Sequence, residues 1–219
     1  MATLVFYDEE HQYELNGEQV PSVSEISRFA SREVYGTIDQ YTLDNAANRG
    51  SAVHKSTEVL DKYGVVECDS FIEPYIRAYV QFRKDYGIKE YKYIEKALAS
   101  ESMRFAGTID RILEIDETFA QKFKEQTKVD VSDLVGKLAI IDLKSSSAVQ
   151  KVPVKIQLNG YELLVNENKL GDVGLLIILH LTKESKYKVH NIERDKTLFM
   201  SCYNLHKAFE KKKRVKKGE

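Results

Sequence analysis

Apolar and polar positions alternate in two short runs on either side of Asn16-Gly17, within LVFYDEEHQYELNGEQVPSVSEI. Asn-Gly between alternating runs predicts a β-hairpin. Ser22 and Glu25 have capping-box spacing and predict the start of a short helix. The period then lengthens. Leu43, Ala46, Ala47, Gly50, Val53, Thr57 and Leu60 recur at helical spacing and predict a long helix over 42–62, with Gly64 near its stop. A second helix is predicted over 71–86, capped by Ser70 and Glu73 and ended by Gly87. The aromatic residues of its EPYIRAYVQFRKDYG segment read as core-facing.

The period changes to two in YKYIEKALAS, FAGTIDRILEI and KLAIIDLKSS, which predict three strands. Between the second and third lies DETFAQKFKEQTKVDVSDLVG, polar and weakly patterned, which reads as an insertion at about 116–137. Residues 155–168 predict a helix. The unbroken apolar run GLLIILHLT predicts a central strand, and YKVHNIE an adjacent edge strand. A last amphipathic helix begins at Asp195, with Leu198, Phe199, Cys202, Leu205 and Phe209 on one face. The order of elements predicts an α/β fold, a mixed central sheet flanked by helices with an N-terminal β-hairpin at 1–21.

Composition narrows this picture. With 219 residues, 42% of them hydrophobic, and no linker or repeat, a single domain over 1–219 is expected. Nothing reads as a signal peptide, and the longest apolar run, Val173 to Leu181, is too short to span a bilayer. Two distant cysteines, Cys68 and Cys202, argue against a disulfide scaffold or a zinc knuckle and point to a reducing cytoplasm. The net charge of −1 is unevenly spread. Residues 207–219 hold seven Lys/Arg against two Glu, a basic tail on a body of about −6. Such a balance admits nucleic acid only through local patches.

The stretch AIIDLKSSS places an acid and a lysine inside an apolar run. An unpaired buried charge is expensive. In a strand, Asp142 and Lys144 project side by side from the face opposite Ala139, Ile141 and Leu143, about 6–7 Å apart, near a sheet mouth marked by three serines. AGTIDRI puts Asp110 on the preceding strand, with Gly107 admitting a close approach by backbone or ligand. If the strands are neighbours, the two carboxylates converge and repel unless a cation lies between them; hard oxygen donors suit magnesium or manganese. On the long helix, Gly50, His54 and Glu58 form a row in which Glu58 can orient the imidazole.

The set RGSAVHKSTE, AGTIDR, IIDLKSS and QLNGY, in that order over about 49–165, resembles the RecB-like branch of the PD-(D/E)XK nuclease superfamily. The matching residues are His54, Asp110, Asp142 with Lys144, and Gln157 with Tyr161. The hairpin is similar to the start of phage-encoded members. The resemblance implies a restriction-endonuclease-like core and metal-dependent hydrolysis of DNA to 5′-phosphate and 3′-hydroxyl ends. It implies that His54, Asp110, Asp142 and the Leu143 carbonyl hold Mg²⁺ or Mn²⁺. Lys144 then positions water or stabilises charge on the phosphate, and Gln157 and Tyr161 lie beside the site and touch DNA. Glu95 is a further candidate for the acidic cluster; His180 and His190 read as structural.

Branch members with an iron–sulfur cluster use four cysteines, and two here exclude it. The gap between Asp110 and Asp142 is longer than usual because of the insertion, and no P-loop is present. An exonuclease on linear double- or single-stranded DNA is expected, in DNA processing, repair or recombination. A single-strand-annealing or other recombination protein is a candidate partner, no membrane is expected, and an oligomer is left open. A structure-specific endonuclease and a non-cleaving DNA-binding or assembly protein on the same fold are the competing readings.

Overall fold

The computed structural model describes residues 3–7, 10–35 and 39–217; the side chains of 29, 31–35 and 211–217 lie outside the described residues, as do 1–2, 8–9, 36–38 and 218–219. Most of the charge expected of the basic tail at 207–219 therefore falls outside the described residues, as do Asp8 and Glu9 of the hairpin segment.

The N-terminal hairpin is part of a three-stranded antiparallel sheet of β1 (Leu4–Tyr7), β2 (Gln12–Leu15) and β3 (Glu18–Val20). Asn16 and Gly17 both have positive φ, 54° and 79°, the conformation that a two-residue turn matching strand twist demands. Its apolar face, Leu4, Phe6, Tyr13, Leu15 and Val20, packs on Ala97, Ala99 and Ala106. The capping box forms as expected: the Ser22 N–H donates to Glu25 Oε2 at 2.9 Å, and the Glu25 N–H to Ser22 Oγ at 3.0 Å. It starts α1 (Val23–Tyr35). The long helix α2 (Gln40–Tyr63) is capped by Asp39 and stopped by Gly64 in the left-handed conformation.

The second expected box is not formed. Helix α3 (Glu73–Asp85) has no side-chain cap, and the amides of Ile72 and Glu73 donate to the Asp69 carbonyl instead of engaging Ser70. A turn centred on Asp69 satisfies those donors first.

The main sheet has the order β4 (Tyr93–Ser100), β5 (Phe105–Glu114), β6 (Leu138–Lys144), β7 (Val173–Leu181), β8 (Tyr187–Asn191). Only β6 and β7 run parallel, joined through helix α5 (Lys151–Glu167). Helices α1, α5 and α6 (Lys196–Lys217) bury one face of the sheet, and α2, α3 and α4 (Glu117–Thr127) the other. The segment expected as a weakly patterned insertion thus contains a core-packed helix. Its few apolar residues, Phe119, Ala120 and Phe123, fall on one face and meet Tyr86, so a mostly polar composition still anchors it. The apolar stripe of α6 is buried only in its first half, at Phe199, Cys202 and Tyr203; Leu205 and Phe209 are about half exposed.

Helices α1, α5 and α6 converge at Gly160, where an added Cβ would stand 2.5 Å from Phe199 Cε2 and 2.9 Å from Val23 Cγ1. Gly160→Ala is therefore expected to lose about 1–3 kcal/mol of stability through overpacking. Urea denaturation checks this, and a wild-type midpoint would mean that α6 shifts freely.

Candidate active site

The backbone ladder between β5 and β6 runs from Glu114↔Leu138 to Arg111↔Ile141 and then stops. Beyond it, Asp110 Oδ2 accepts the N–H of Leu143 at 2.7 Å, a side chain doing what a carbonyl did one step earlier. A cleft of about 620 Å³ opens at this splay, lined from α2, β5, β6, α5 and the N-terminal sheet.

His54 reaches into the cleft from α2. Its Nε2 lies 3.2 Å from the Leu143 carbonyl oxygen, and its Nδ1 lies 3.6 Å from Asp110 Oδ1 and 3.9 Å from Glu95 Oε1. One donor atom each of His54, Glu95 and Asp110 lies within 4.8 Å of the others. Glu95 interrupts β4 with φ of 44°, a left-handed backbone that a non-glycine residue adopts at a cost of roughly 1–2 kcal/mol. The β4–β5 pairing omits this residue.

Asp142 is 1% exposed, and Lys144 Nζ stands 2.7 Å from its Oδ2. That oxygen nevertheless lacks a hydrogen bond of normal geometry. Lys144 Nζ is also 3.5 Å from Gln157 Oε1, and Gln157 Nε2 donates to the Tyr161 hydroxyl at 2.8 Å. Asp142 stands outside the group of three whose donor atoms converge, but it feels the Asp110 charge. The close approach permitted by Gly107 is made by the Tyr161 ring, 2.9 Å from an ideal Cβ position, so that glycine seats a side chain rather than a ligand.

The electrostatics follow from crowding acids in a poorly hydrated place. Burial lifts Asp142 to about 6, with Lys144 opposing and Asp110 adding to the rise. Burial also raises Asp110, against the pull of His54. Burial lowers the His54 pKa, but the Asp110 and Glu95 carboxylates more than reverse that and bring it to about 9. The cluster therefore demands positive charge, which the imidazolium supplies in part. Two carboxylates, an imidazole and a backbone carbonyl, with the buried Asp142–Lys144 ion pair beside them, form a donor set that fits a hard divalent ion such as Mg²⁺ or Mn²⁺.

Glu58 does not orient His54. It is held by Lys62 Nζ at 2.5 Å and Lys55 Nζ at 3.5 Å, because the lysines at i+4 and i−3 lie closer than the imidazole one turn back.

Sequence reasoning missed Arg111, which is fully buried behind the cluster. Its Nε donates to Asp61 Oδ2 at 2.6 Å and to the Tyr79 hydroxyl at 3.2 Å. Nη1 donates to Glu95 Oε1 at 2.8 Å and the Asp110 carbonyl at 2.6 Å, and Nη2 to Thr57 Oγ1 at 3.1 Å. Thr57 in turn donates to the carbonyl of His54. One guanidinium thus ties α2, α3, β4 and β5 together and steadies Glu95. The signal was present: Arg111 stands inside the apolar stretch of β5, two residues before Leu113 and on its face of the sheet, where an arginine needs buried partners.

Comparison with known proteins adds to this geometry. No family model matches the sequence, and no curated protein matches it. Among 22 matching chains of solved structures is a "Putative exonuclease" from Eubacterium rectale, 16% identical over 91% of this chain and 82% of that one, with a TM-score of 0.51. Another, SSO0001, is 14% identical over 84% of this chain and 72% of that one, with a TM-score of 0.38. The first likeness shows a nuclease-like α/β fold. Among the described residues, no helix is long and apolar enough to cross a membrane.

Proposed function

We propose that this chain is a single-domain, metal-dependent deoxyribonuclease of the RecB-like branch of the PD-(D/E)XK superfamily, acting on DNA from its ends. The observation that carries the reading is the convergence of His54, Glu95 and Asp110 on the Leu143 carbonyl at the β5–β6 splay, with the Asp142–Lys144 pair beside it. The resemblance of the ordered motifs and the nuclease-like fold support it. His54, Glu95, Asp110, Asp142 and the Leu143 carbonyl would hold Mg²⁺ or Mn²⁺, which when bound supplies Lewis acidity and charge neutralisation for attack on a phosphodiester. Lys144 directs its ammonium toward the developing phosphate charge and takes its orientation from Asp142 and Gln157. Tyr161 fixes Gln157 from beneath. Two free cysteines are compatible with a reducing cytoplasm.

The test is incubation of purified protein with linear and closed-circular DNA under magnesium, manganese or EDTA. Degradation of linear DNA alone, abolished by EDTA, is the expected result; nicking of circles would instead indicate an endonuclease, and retarded but uncut DNA a binding module. His54→Ala is expected to raise the metal concentration for half-maximal rate about 10- to 100-fold. A metal titration of cleavage reads this, and an unchanged midpoint would remove His54 from the metal.

A further inference from the structure

Phe6, His11 and Tyr13 of the N-terminal sheet line the same cleft as His54 and Asp110. Phe6 stands directly across from Tyr13, and His11 lies in the turn just before β2, with a left-handed φ of 50° that turns its ring toward Phe6. The three rings form a column. Tyr13 and Phe6 are stacked with centroids 4.6 Å apart and planes at 23°, and Phe6 and His11 follow at 6.1 Å and 25°. The column is rooted in the main sheet, because the Tyr13 hydroxyl donates at 2.8 Å to Oγ1 of Thr108, two residues before Asp110. Tyr13 is buried, Phe6 partly covered and His11 exposed. A stack of rings therefore runs from the strand that carries Asp110 to the rim of the cleft.

We propose that this column is a stacking subsite for an unpaired nucleobase at the end of a single DNA strand. The proposal rests on the nuclease reading and names its substrate class. Aromatic faces take any base, which suits an enzyme without sequence preference. The strands β1, β2 and β3 contain no lysine or arginine, so they offer ring faces and not phosphate grips; Lys55 and Lys144 line the cleft from other elements and receive the backbone. A base inside a duplex has both faces covered by its neighbours and cannot join the column. The cleft volume of about 620 Å³ falls within the range of small-ligand sites, roughly 300–1,000 Å³, room for a nucleotide at the rings.

The experiment uses an oligonucleotide with a terminal 2-aminopurine, whose fluorescence is quenched by stacking on aromatic rings. In a Lys144→Ala background, intended to bind without cutting, the terminal label in a single strand should be quenched, and a label inside a duplex should not change. Adding His11→Ala should restore the signal. In otherwise wild-type protein, His11→Ala and Phe6→Ala should each raise KM for single-stranded DNA about 5- to 100-fold, with the smaller part of the loss in kcat. His11 is exposed, so its variant folds even if Phe6→Ala does not. Unquenched terminal label, or an unaltered KM in a His11→Ala protein that still degrades DNA, overturns the subsite and leaves the nuclease reading standing. Failure of the wild type to cut any DNA with either metal removes both.

Discussion

Asp142→Asn is expected to lower DNA cleavage by on the order of 10³-fold or more, and to make the metal-free protein harder to unfold at neutral pH. The two effects share one cause. Burial holds the Asp142 carboxyl at about 6 in the folded chain, above the value of 3.8 for an ordinary aspartate, in spite of Lys144 at 2.7 Å. A raised carboxyl pKa favours folding below about pH 4 and loses that contribution as the pH rises through about 6. At pH 7 the ionised group therefore costs the metal-free fold on the order of 1–3 kcal/mol, which asparagine removes. The advantage of the variant should be absent near pH 4, grow up to about pH 6.5, and appear as a rise in Tm of several degrees. Manganese should raise the Tm of the wild type more than that of the variant. A variant less stable than wild type at pH 7, by an amount constant with pH, would show that Asp142 is an ordinary structural ion-pair partner. Lys144→Ala provides the contrast, with comparable loss of cleavage and retained metal binding.

Arg111→Met should destabilise the protein by about 3–5 kcal/mol, the usual consequence of removing one member of a buried charge network. Its guanidinium satisfies Asp61, Glu95, Thr57, Tyr79 and the Asp110 carbonyl at once, and it faces the rings of Tyr79 and Tyr91 at 5.9 and 5.7 Å. Asp61 would keep Arg83, at 2.9 Å, and the Tyr79 hydroxyl, at 2.5 Å, but lose its buried guanidinium partner. Arg111→Lys should recover little, because an ammonium cannot present the planar fork these acceptors surround. In whatever fraction remains folded, the loosened Glu95 should raise the metal requirement for cleavage. Chemical denaturation and a metal titration measure the two effects, and a stability within 1 kcal/mol of wild type, taken as roughly the exposed-pair limit, would mean that the network is dispensable.

Much of the fold was legible because local signals agreed with the tertiary outcome. Asn16-Gly17, the Ser22–Glu25 box, the stop at Gly64 and the alternating strands all coincide with observed elements. Asp110, Asp142 and Lys144 stood out because charge inside a strand is conspicuous. The rest depended on partners distant in sequence. Arg111 draws its acceptors from α2, α3 and β4, which no spacing along one strand reveals. Glu58 shared a helical row with His54, yet nearer lysines captured it. The helix at Glu117–Thr127 hid because three well-placed apolar residues anchor it against a polar background.

The hydrogen bond from the Leu143 amide to the Asp110 carboxylate has a practical consequence for trapping a DNA complex. Alanine at position 110 would unfasten the seam between two strands as well as remove a charge, so an inert Asp110→Ala preparation would confound damage with chemistry. Asparagine there keeps an oxygen for the amide, and position 142, free of that duty, is the better place for the substitution in crystallisation trials with DNA.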